Sequence, residues 1–308
     1  MKAAQIDGYG GKEVVKVREV PKPAAPAGKL VVEIHAAGVN PFDWKIREGY
    51  AKPKSLPATL GGDFSGVVSE VGAGVSGFKK GDEVFGTAIV LSGGSGSFAE
   101  YAVVDPKRIA LKPKKTGHVE TAALPLASVS AYQALVEHMN LEEGEKVLIH
   151  GGAGGIGSSA IQIAKSLGAH VAATASAKDL DFVKKLGAEE AIDYRKQSFE
   201  EELENYDAVY DTVGGETYEK SFRVLKKGGR IVSMLEQPRD GLAEKFEVKA
   251  VGQMTHIDSG KLKKIAELVD RGELEVQVDK TFRLDEAAEA LEFQKTGHPR
   301  GKVVIKVR

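Results

Sequence analysis

The 308-residue sequence predicts an α/β protein in which a doubly wound parallel sheet is inserted into a β-barrel-like domain, and three features carry that expectation. Near residue 120 the pattern changes from short β-branched runs broken by glycine and proline to strands alternating with helices. At the head of this second region a strand runs through a glycine-rich turn into a helix, KVLIHGGAGGIG followed by SSAIQIAKSLGAH. At the far end the first pattern returns, and strand KVVIKVR has little to pair with unless it goes back to the N-terminal region. The first domain is therefore expected at residues 1–118 plus 274–308, and the inserted one at 119–273.

In the N-terminal region KLVVEIHAAGV, FSGVVSEVG, DEVFGTAIV and FAEYAVV read as short strands, punctuated by the turn-forming PKP, GAGVSG and LSGGSGS. Strand KVLIH is then followed by a helix over 156–167, strand AHVAATA by a helix over 179–186, and strand EAIDY by a short helix over 198–204. Strand DAVYDTV precedes a helix over 216–225, a turn KKGG and strand RIVSML. Such alternation buries a parallel sheet between helices on both faces. Helix SGKLKKIAELVDRG, strand ELEVQVDKTF and helix LDEAAEALEFQKTG lead to the last strand. Segment FEVKAVGQM reads as an edge strand that can pair with its copy in a homodimer, although Glu247, Lys249 and Gln253 within it also allow a monomer.

Composition narrows the function classes. A net charge of −1 gives no basic field for nucleic acid or an anionic membrane, so small molecules are the expected partners. No apolar run is long enough to span a bilayer, and MKAAQIDGYGG lacks the basic start and apolar stretch of a secretory signal, which makes the cytoplasm the expected compartment. The absence of cysteine removes disulfides, thiolate nucleophiles and thiolate metal sites. The seven histidines never form HxH, HxxxH or HExxH, so they read as scattered core or surface residues and no metal site is expected.

The glycine turn is the strongest local signal. Gly152-x-Gly154-x-x-Gly157, with Ala153, Gly155 and Ile156 between, lets a pyrophosphate touch the backbone at a helix N-terminus. NAD-binding strands of this kind end in an acid that accepts the ribose hydroxyls; here Thr174, Ala175 and Ser176 stand at that end. Ser176 and Lys178 can donate to a 2'-phosphate, with Tyr194 and Arg195 ending the next strand nearby, which favours NADPH. The alternative makes Lys178 a solvated lysine and lets Asp179 or Asp181 reach the ribose.

AAGVNPFDWKIREGY, LGGDFSGVVSEVG, FKKGDEVFG, LPLASVSAYQAL, the glycine turn, LGAEEAIDYR, YDTVGG and GHPRGKVVIKV together resemble the zinc-independent medium-chain dehydrogenases/reductases, in the quinone oxidoreductase and enone-alkenal reductase branch that includes zeta-crystallin. The resemblance spans nearly the whole chain and implies a Rossmann domain inserted into a GroES-like catalytic domain. Where zinc-bearing relatives carry a cysteine ligand this chain has Asn40 after Val39, and where they carry a histidine it has Gly62, between Gly61 and Asp63. The resemblance thus implies metal-free hydride transfer from NADPH to a quinone or an α,β-unsaturated carbonyl, reactions that need no alcohol deprotonation. A non-catalytic, NADPH- or RNA-binding role and an alcohol dehydrogenase are the competing readings.

Hydride arrival pushes negative charge onto the acceptor oxygen, so donors aimed at that oxygen are the groups to look for. Asn40, Lys45 and Tyr50 are the candidate catalytic residues, with Asn40 also a cofactor contact; Asn40 with Pro41 can alternatively form a simple turn, and Asp43 reads as structural. Trp44 walls the pocket or packs. Ser130 matches the hydroxyl that the family places near the nicotinamide, while Val213, Gly214, Met234 and Leu235 fall at the carboxyl ends of strands where ligands lie. Arg300 and Lys302 face either the cofactor or solvent.

Overall fold

Residues 1–239 and 241–308 are described by the computed structural model. The elements run β1 (Lys2–Ile6), β2 (Val15–Glu19), β3 (Leu30–Val39), α1 (Pro41–Arg47), β4 (Ala58–Thr59), β5 (Asp63–Val71), β6 (Glu83–Thr87), β7 (Tyr101–Val104), β8 (Ile109–Leu111), α2 (His118–Ala122) and α3 (Pro125–Tyr132). They continue β9 (Lys146–Ile149), α4 (Gly155–Ser166), β10 (His170–Ala175), α5 (Leu180–Leu186), β11 (Glu190–Asp193), α6 (Phe199–Glu202), β12 (Tyr206–Asp211), α7 (Glu216–Ser221), β13 (Leu225–Ser233), α8 (Leu242–Phe246) and β14 (Lys249–Gly252). The last are α9 (Ser259–Arg271), β15 (Val278–Arg283), α10 (Ala287–Thr296) and β16 (Lys302–Lys306).

Contacts divide the chain into one unit of Met1–Leu126, Ile257–Gly272 and Val276–Arg308, and another of Ala127–His256 with Glu273–Glu275. The first unit is discontinuous, and its bounds differ from 1–118 plus 274–308. Helix α9 was assigned with the inserted domain and instead belongs to the first unit, where Asp270 accepts from the Lys114 backbone N–H at 2.8 Å.

The first unit is organised around β3. Its N-terminal half pairs β7 antiparallel, Leu30 opposite Val104, and its C-terminal half pairs the returning β16, Val39 opposite Val303; β5 runs along its other edge. The last strand therefore finds its partner in the N-terminal region, as its isolation in the sequence required. Leu30, Val32, Ile34, Phe64, Phe98, Leu291 and Ile305 meet in the core that these strands enclose with α10.

In the second unit the sheet order is β11-β10-β9-β12-β13-β14 with every neighbouring pair parallel, the order of a dinucleotide-binding fold. Its strands read as near-continuous apolar runs because helices cover both faces. Three local readings need correction. The helix expected over 216–225 ends at Ser221, since Phe222 and Val224 turn into the core beside Tyr206 and Ile231. KKGG is no separate turn but lies within β13, whose register shifts between Tyr206 and Ala208 of β12, with Gly228 at φ +77°. Phe246 ends helix α8 rather than starting the edge strand, which is confined to Lys249–Gly252.

Candidate active site

In the nucleotide unit β9 delivers the chain to the glycine turn at the point where strand order reverses, between β9 and β12. The three motif glycines do different work. A Cβ on Gly152 would press on Ala173, Ile161 and Val183 at 3.0–3.2 Å, and one on Gly157 would reach 2.2 Å from the Gly151 carbonyl oxygen, so both are excluded by packing within the unit. A Cβ on Gly154 would meet only the Gly151 oxygen, at 3.4 Å, and would otherwise project into open space. Gly154 is the N-cap of α4, so that open face is where the unpaired N–H groups at the start of the helix are reached, and a pyrophosphate fits it. The left-handed backbone of the turn falls on Gly151, at φ +67°, just before the motif. Ala153, Gly155 and Ile156 are part-exposed along the same turn.

Behind the turn lies a polar row that sequence reasoning missed. The Gly151 N–H donates to Thr174 Oγ1 at 3.3 Å, which lies 3.1 Å from His150 Nδ1; His150 Nε2 lies 3.0 Å from Ser221 Oγ, which donates to the Thr217 carbonyl at 2.7 Å. Ser221 spends its proton on Thr217, so it accepts from His150 Nε2–H, and Nδ1 accepts from Thr174; the row admits one consistent tautomer. Burial pushes the imidazole down to about 4, against the pull of Asp211 and Glu200, so it stays neutral. Its only sequence signal is its place beside the glycines.

Ser176 and Lys178 begin the segment after β10, and Tyr194 follows β11, its N–H on the Ala175 carbonyl at 3.2 Å, so the three share one end of the sheet. Lys178 and Tyr194 are exposed there, with the Arg195 guanidinium 5.6 Å from the Tyr194 ring centre. The Ser176 hydroxyl donates to Asp179 at 2.7 Å, and Asp179 is buried, so this carboxylate is turned onto Ser176 rather than projected as a ribose acceptor. Val213, Gly214, Met234 and Leu235 are gathered at the neighbouring strand ends by another overlooked residue, Asp211. Its carboxylate accepts from the Val213 and Gly214 N–H groups at 2.9 Å and from Ser233 Oγ at 2.6 Å, while Ser233 Oγ in turn accepts from the Leu235 and Glu236 N–H groups. Val213 and Leu235 consequently present apolar side chains at this rim, 48% and 56% exposed. Ser130 is fully buried, its hydroxyl 2.6 Å from that of Thr255 and its carbonyl accepting from Gln253 Nε2 at 3.0 Å.

In the first unit Asn40 is the N-cap of α1, and both ends of its side chain are held. Its Nδ2 donates to Asp63 at 2.9 Å and its Oδ1 accepts from the Lys302 ammonium, which also donates to the Val39 carbonyl at 2.9 Å. The Asn40 backbone N–H donates to Asp43 at 2.7 Å, closing a capping box, and the Leu126 N–H donates to Asp63 at 2.9 Å. Turning the amide over would set oxygen against carboxylate and N–H against ammonium, forfeiting two charge-assisted bonds of roughly 1.5–3 kcal/mol each. Asn40 is thus more than a turn residue. Burial pushes the Asp43 carboxyl up to about 7, the Asn40 N–H opposing it; burial raises Asp63 too, against Lys302, and lowers Lys302 against both aspartates. Lys302 faces inward at 7% exposure, so it does not stand on a solvated loop.

Lys45 and Tyr50 form a separate group with Trp44. The Tyr50 ring stands edge-on to Trp44 with centres 6.3 Å apart and is 77% exposed; the Lys45 ammonium lies 5.7 Å from the Trp44 ring centre, and Lys295 lies 5.1 Å from it. Asn40 stands at the start of α1 and Tyr50 beyond its end, so the three candidate catalytic side chains do not converge within this unit. Ser65, His118 and Glu83 also line up, at 2.7 and 3.1 Å, but Ser65 is fully buried and offers no reachable nucleophile. Among the described residues no group of three or more His, Asp or Glu is arranged to hold a metal ion.

One unit thus carries a parallel sheet with a glycine turn at its switch point, and the other a buried polar cluster around Asn40. Family models agree: one described as an alcohol dehydrogenase GroES-like domain matches residues 26–114, and one described as a zinc-binding dehydrogenase matches residues 186–305. The chain belongs to the medium-chain dehydrogenases/reductases, in the quinone oxidoreductase and enone reductase branch to which its motifs point. It is 39% identical to a tomato 2-methylene-furan-3-one reductase, over 99% of this chain and 79% of the relative. It is 36% identical, over the same shares, to an Arabidopsis thaliana NADPH-dependent alkenal/one oxidoreductase. The solved structure of a Coxiella burnetii quinone oxidoreductase superposes with a TM-score of 0.91 at 37% identity, covering 100% of this chain and 99% of that one.

Proposed function

We propose that the chain is an NADPH-dependent oxidoreductase that delivers hydride to a quinone or an α,β-unsaturated carbonyl without a metal ion. The observation that carries this reading is the end of β10: Lys178 and Tyr194 stand exposed at the sheet end beside the glycine turn, while the nearby Asp179 is buried against the Ser176 hydroxyl. A 2'-phosphate finds the Lys178 ammonium and the Tyr194 hydroxyl exposed there, whereas the Asp179 carboxylate is buried. Bound NADPH supplies the hydride. The glycine turn and α4 hold its pyrophosphate, Lys178 and Tyr194 its phosphorylated ribose, and Val213, Gly214, Met234 and Leu235 the nicotinamide end, while Ser176 and Ser130, whose hydroxyls are bonded to Asp179 and Thr255, line these places from behind. Asn40 offers an N–H to the oxygen on which charge develops, while Lys45 and Tyr50, grouped with Trp44 away from it, are left without a part in the transfer.

Oxidation of NADPH and NADH is followed side by side with 1,4-benzoquinone, 9,10-phenanthrenequinone, an enone, a 2-alkenal and a simple ketone. Turnover of the quinones or the unsaturated carbonyls with NADPH is the expected result. Robust turnover of the ketone, or preference for NADH, would point instead to an alcohol dehydrogenase.

Two further readings belong here. Strand β14 is the edge of its sheet and is followed by Met254, 88% exposed, which suits a homodimer continuing the sheet across a two-fold axis; sedimentation checks it. Among the described residues no helix is long and apolar enough to cross a membrane, and the cytoplasm is the compartment this reading assigns, to be checked by fractionation.

A further inference from the structure

We propose that Lys302 and Asp63 are positioning residues for Asn40, fixing its carboxamide so that the group it presents is an N–H donor and never a carbonyl acceptor. This rests on the reading of Asn40 as the donor to the acceptor oxygen. An asparagine amide is nearly symmetric in shape, and an unrestrained one presents oxygen or nitrogen with similar ease. Here the Oδ1 end is claimed by the Lys302 ammonium and one Nδ2 hydrogen by Asp63, whose carboxylate is itself held by the Leu126 N–H. A second Nδ2 hydrogen is left over by this arrangement. Lys302 cannot turn away, because it also donates to the Val39 carbonyl, the residue before Asn40. The backbone of Asn40 is fixed in parallel by Asp43. The buried cation of the last strand therefore acts on the reaction through Asn40 without touching a reactant.

The test compares kcat and KM of the wild-type enzyme with those of Asn40→Ala, Lys302→Met, Asp63→Asn and the Asn40→Ala/Lys302→Met pair, using NADPH and an enone, with NADPH binding read by fluorescence. Asn40→Ala is expected to lower kcat roughly a hundredfold, the cost of one lost donor. Lys302→Met should lower kcat at least tenfold while the KM for NADPH moves less than about threefold, because the amide then loses one of the two charge-assisted bonds that orient it. Asp63→Asn should lower kcat less than Lys302→Met does but measurably, about threefold to fivefold, since its carbonyl oxygen can still accept from Asn40 and Leu126 but without the charge that strengthened both bonds. The double variant should fall no lower than Asn40→Ala alone, as residues acting through one group are not additive. Losses that multiply in the double variant, or a Lys302→Met kcat within about twofold of wild type, overturn the proposal. Should Lys302→Met fail to fold with two aspartates left facing no cation, Lys302→Met/Asp63→Asn removes one of those charges as well, and its kcat decides in the same way. If Asn40→Ala keeps wild-type turnover, the reading of Asn40 fails and this one with it; if Asn40→Ala is impaired and Lys302→Met is not, only the positioning role fails.

Discussion

Asn40 in the β-rich unit and His150 in the nucleotide unit are both buried polar side chains gripped at two ends, yet their surroundings differ in kind. Asn40 sits among an ammonium and two carboxyls, His150 among hydroxyls and a backbone N–H. The first unit buys directional certainty with charge, at a desolvation cost that displaces the titration of Asp43 and Lys302. The second holds the same certainty with a neutral row of hydroxyls and an imidazole behind its glycine turn. A turn that must receive an anion is best backed by groups that carry none, whereas a site that must hold one donor rigid tolerates paired ions behind it.

The largest effect that would break this contrast lies at the glycine turn. Gly157→Val places carbon against the Gly151 carbonyl and is expected to reduce NADPH affinity more than a hundredfold and stability by about 3 kcal/mol, read by fluorescence titration and thermal melting. Next come opposite pH slopes. Asp43 holds its proton up to about pH 7 when folded but only to 3.8 when unfolded, so its contribution is present below 3.8 and lost as pH rises through about 7. His150 is neutral down to about 4 when folded but titrates at 6.5 unfolded, so its contribution is present above 6.5 and lost as pH falls through about 4. The displacements are worth roughly 4 kcal/mol for Asp43 and roughly 3 kcal/mol for His150, each across its window. Melting temperatures from pH 4 to 8 should show the wild type losing its margin over Asp43→Asn as pH rises, and gaining margin over His150→Asn; slopes of one sign would abolish the distinction.

A smaller change tests the anion-receiving face alone. Lys178→Ala should raise the KM for NADPH about tenfold and leave NADH nearly unchanged, whereas equal shifts for both would show that this lysine does not meet the phosphate. The smallest effect is expected at Gly62, where a Cβ would meet nothing closer than Thr87 Oγ1 at 3.6 Å. Gly62→Ala should change stability by no more than about 0.5 kcal/mol, confirming that the polar cluster, not tight packing, disciplines that corner.

Much of this was legible in the sequence because it is written locally. The change of period near residue 120, the glycine turn and the isolation of KVVIKVR each depend on neighbouring residues, and each found its place in the fold. What stayed hidden depends on residues far apart in the chain. Nothing near Lys302 signals that it meets Asn40, 262 residues earlier, and nothing near His150 signals Ser221, 71 residues later. Asp211 was masked differently: YDTVGG marked it as a strand end, but its service to two turns at once requires β13 to lie alongside. Helix α9 was misassigned because helical period says which face is apolar, not which unit covers it.

The reach of Lys302 across the chain also bears on synthesis. Asp43 and Asp63 leave the ribosome long before the residue that neutralises them, so for most of translation the β-rich unit holds two carboxylates that cannot be buried cheaply. That unit cannot close until β16 arrives, while every strand of the nucleotide sheet has already been made. A ribosome stalled before residue 302 would therefore release a chain able to assemble its nucleotide sheet yet unable to seal the unit that carries Asn40, and quality-control proteases would meet an open, charged interior.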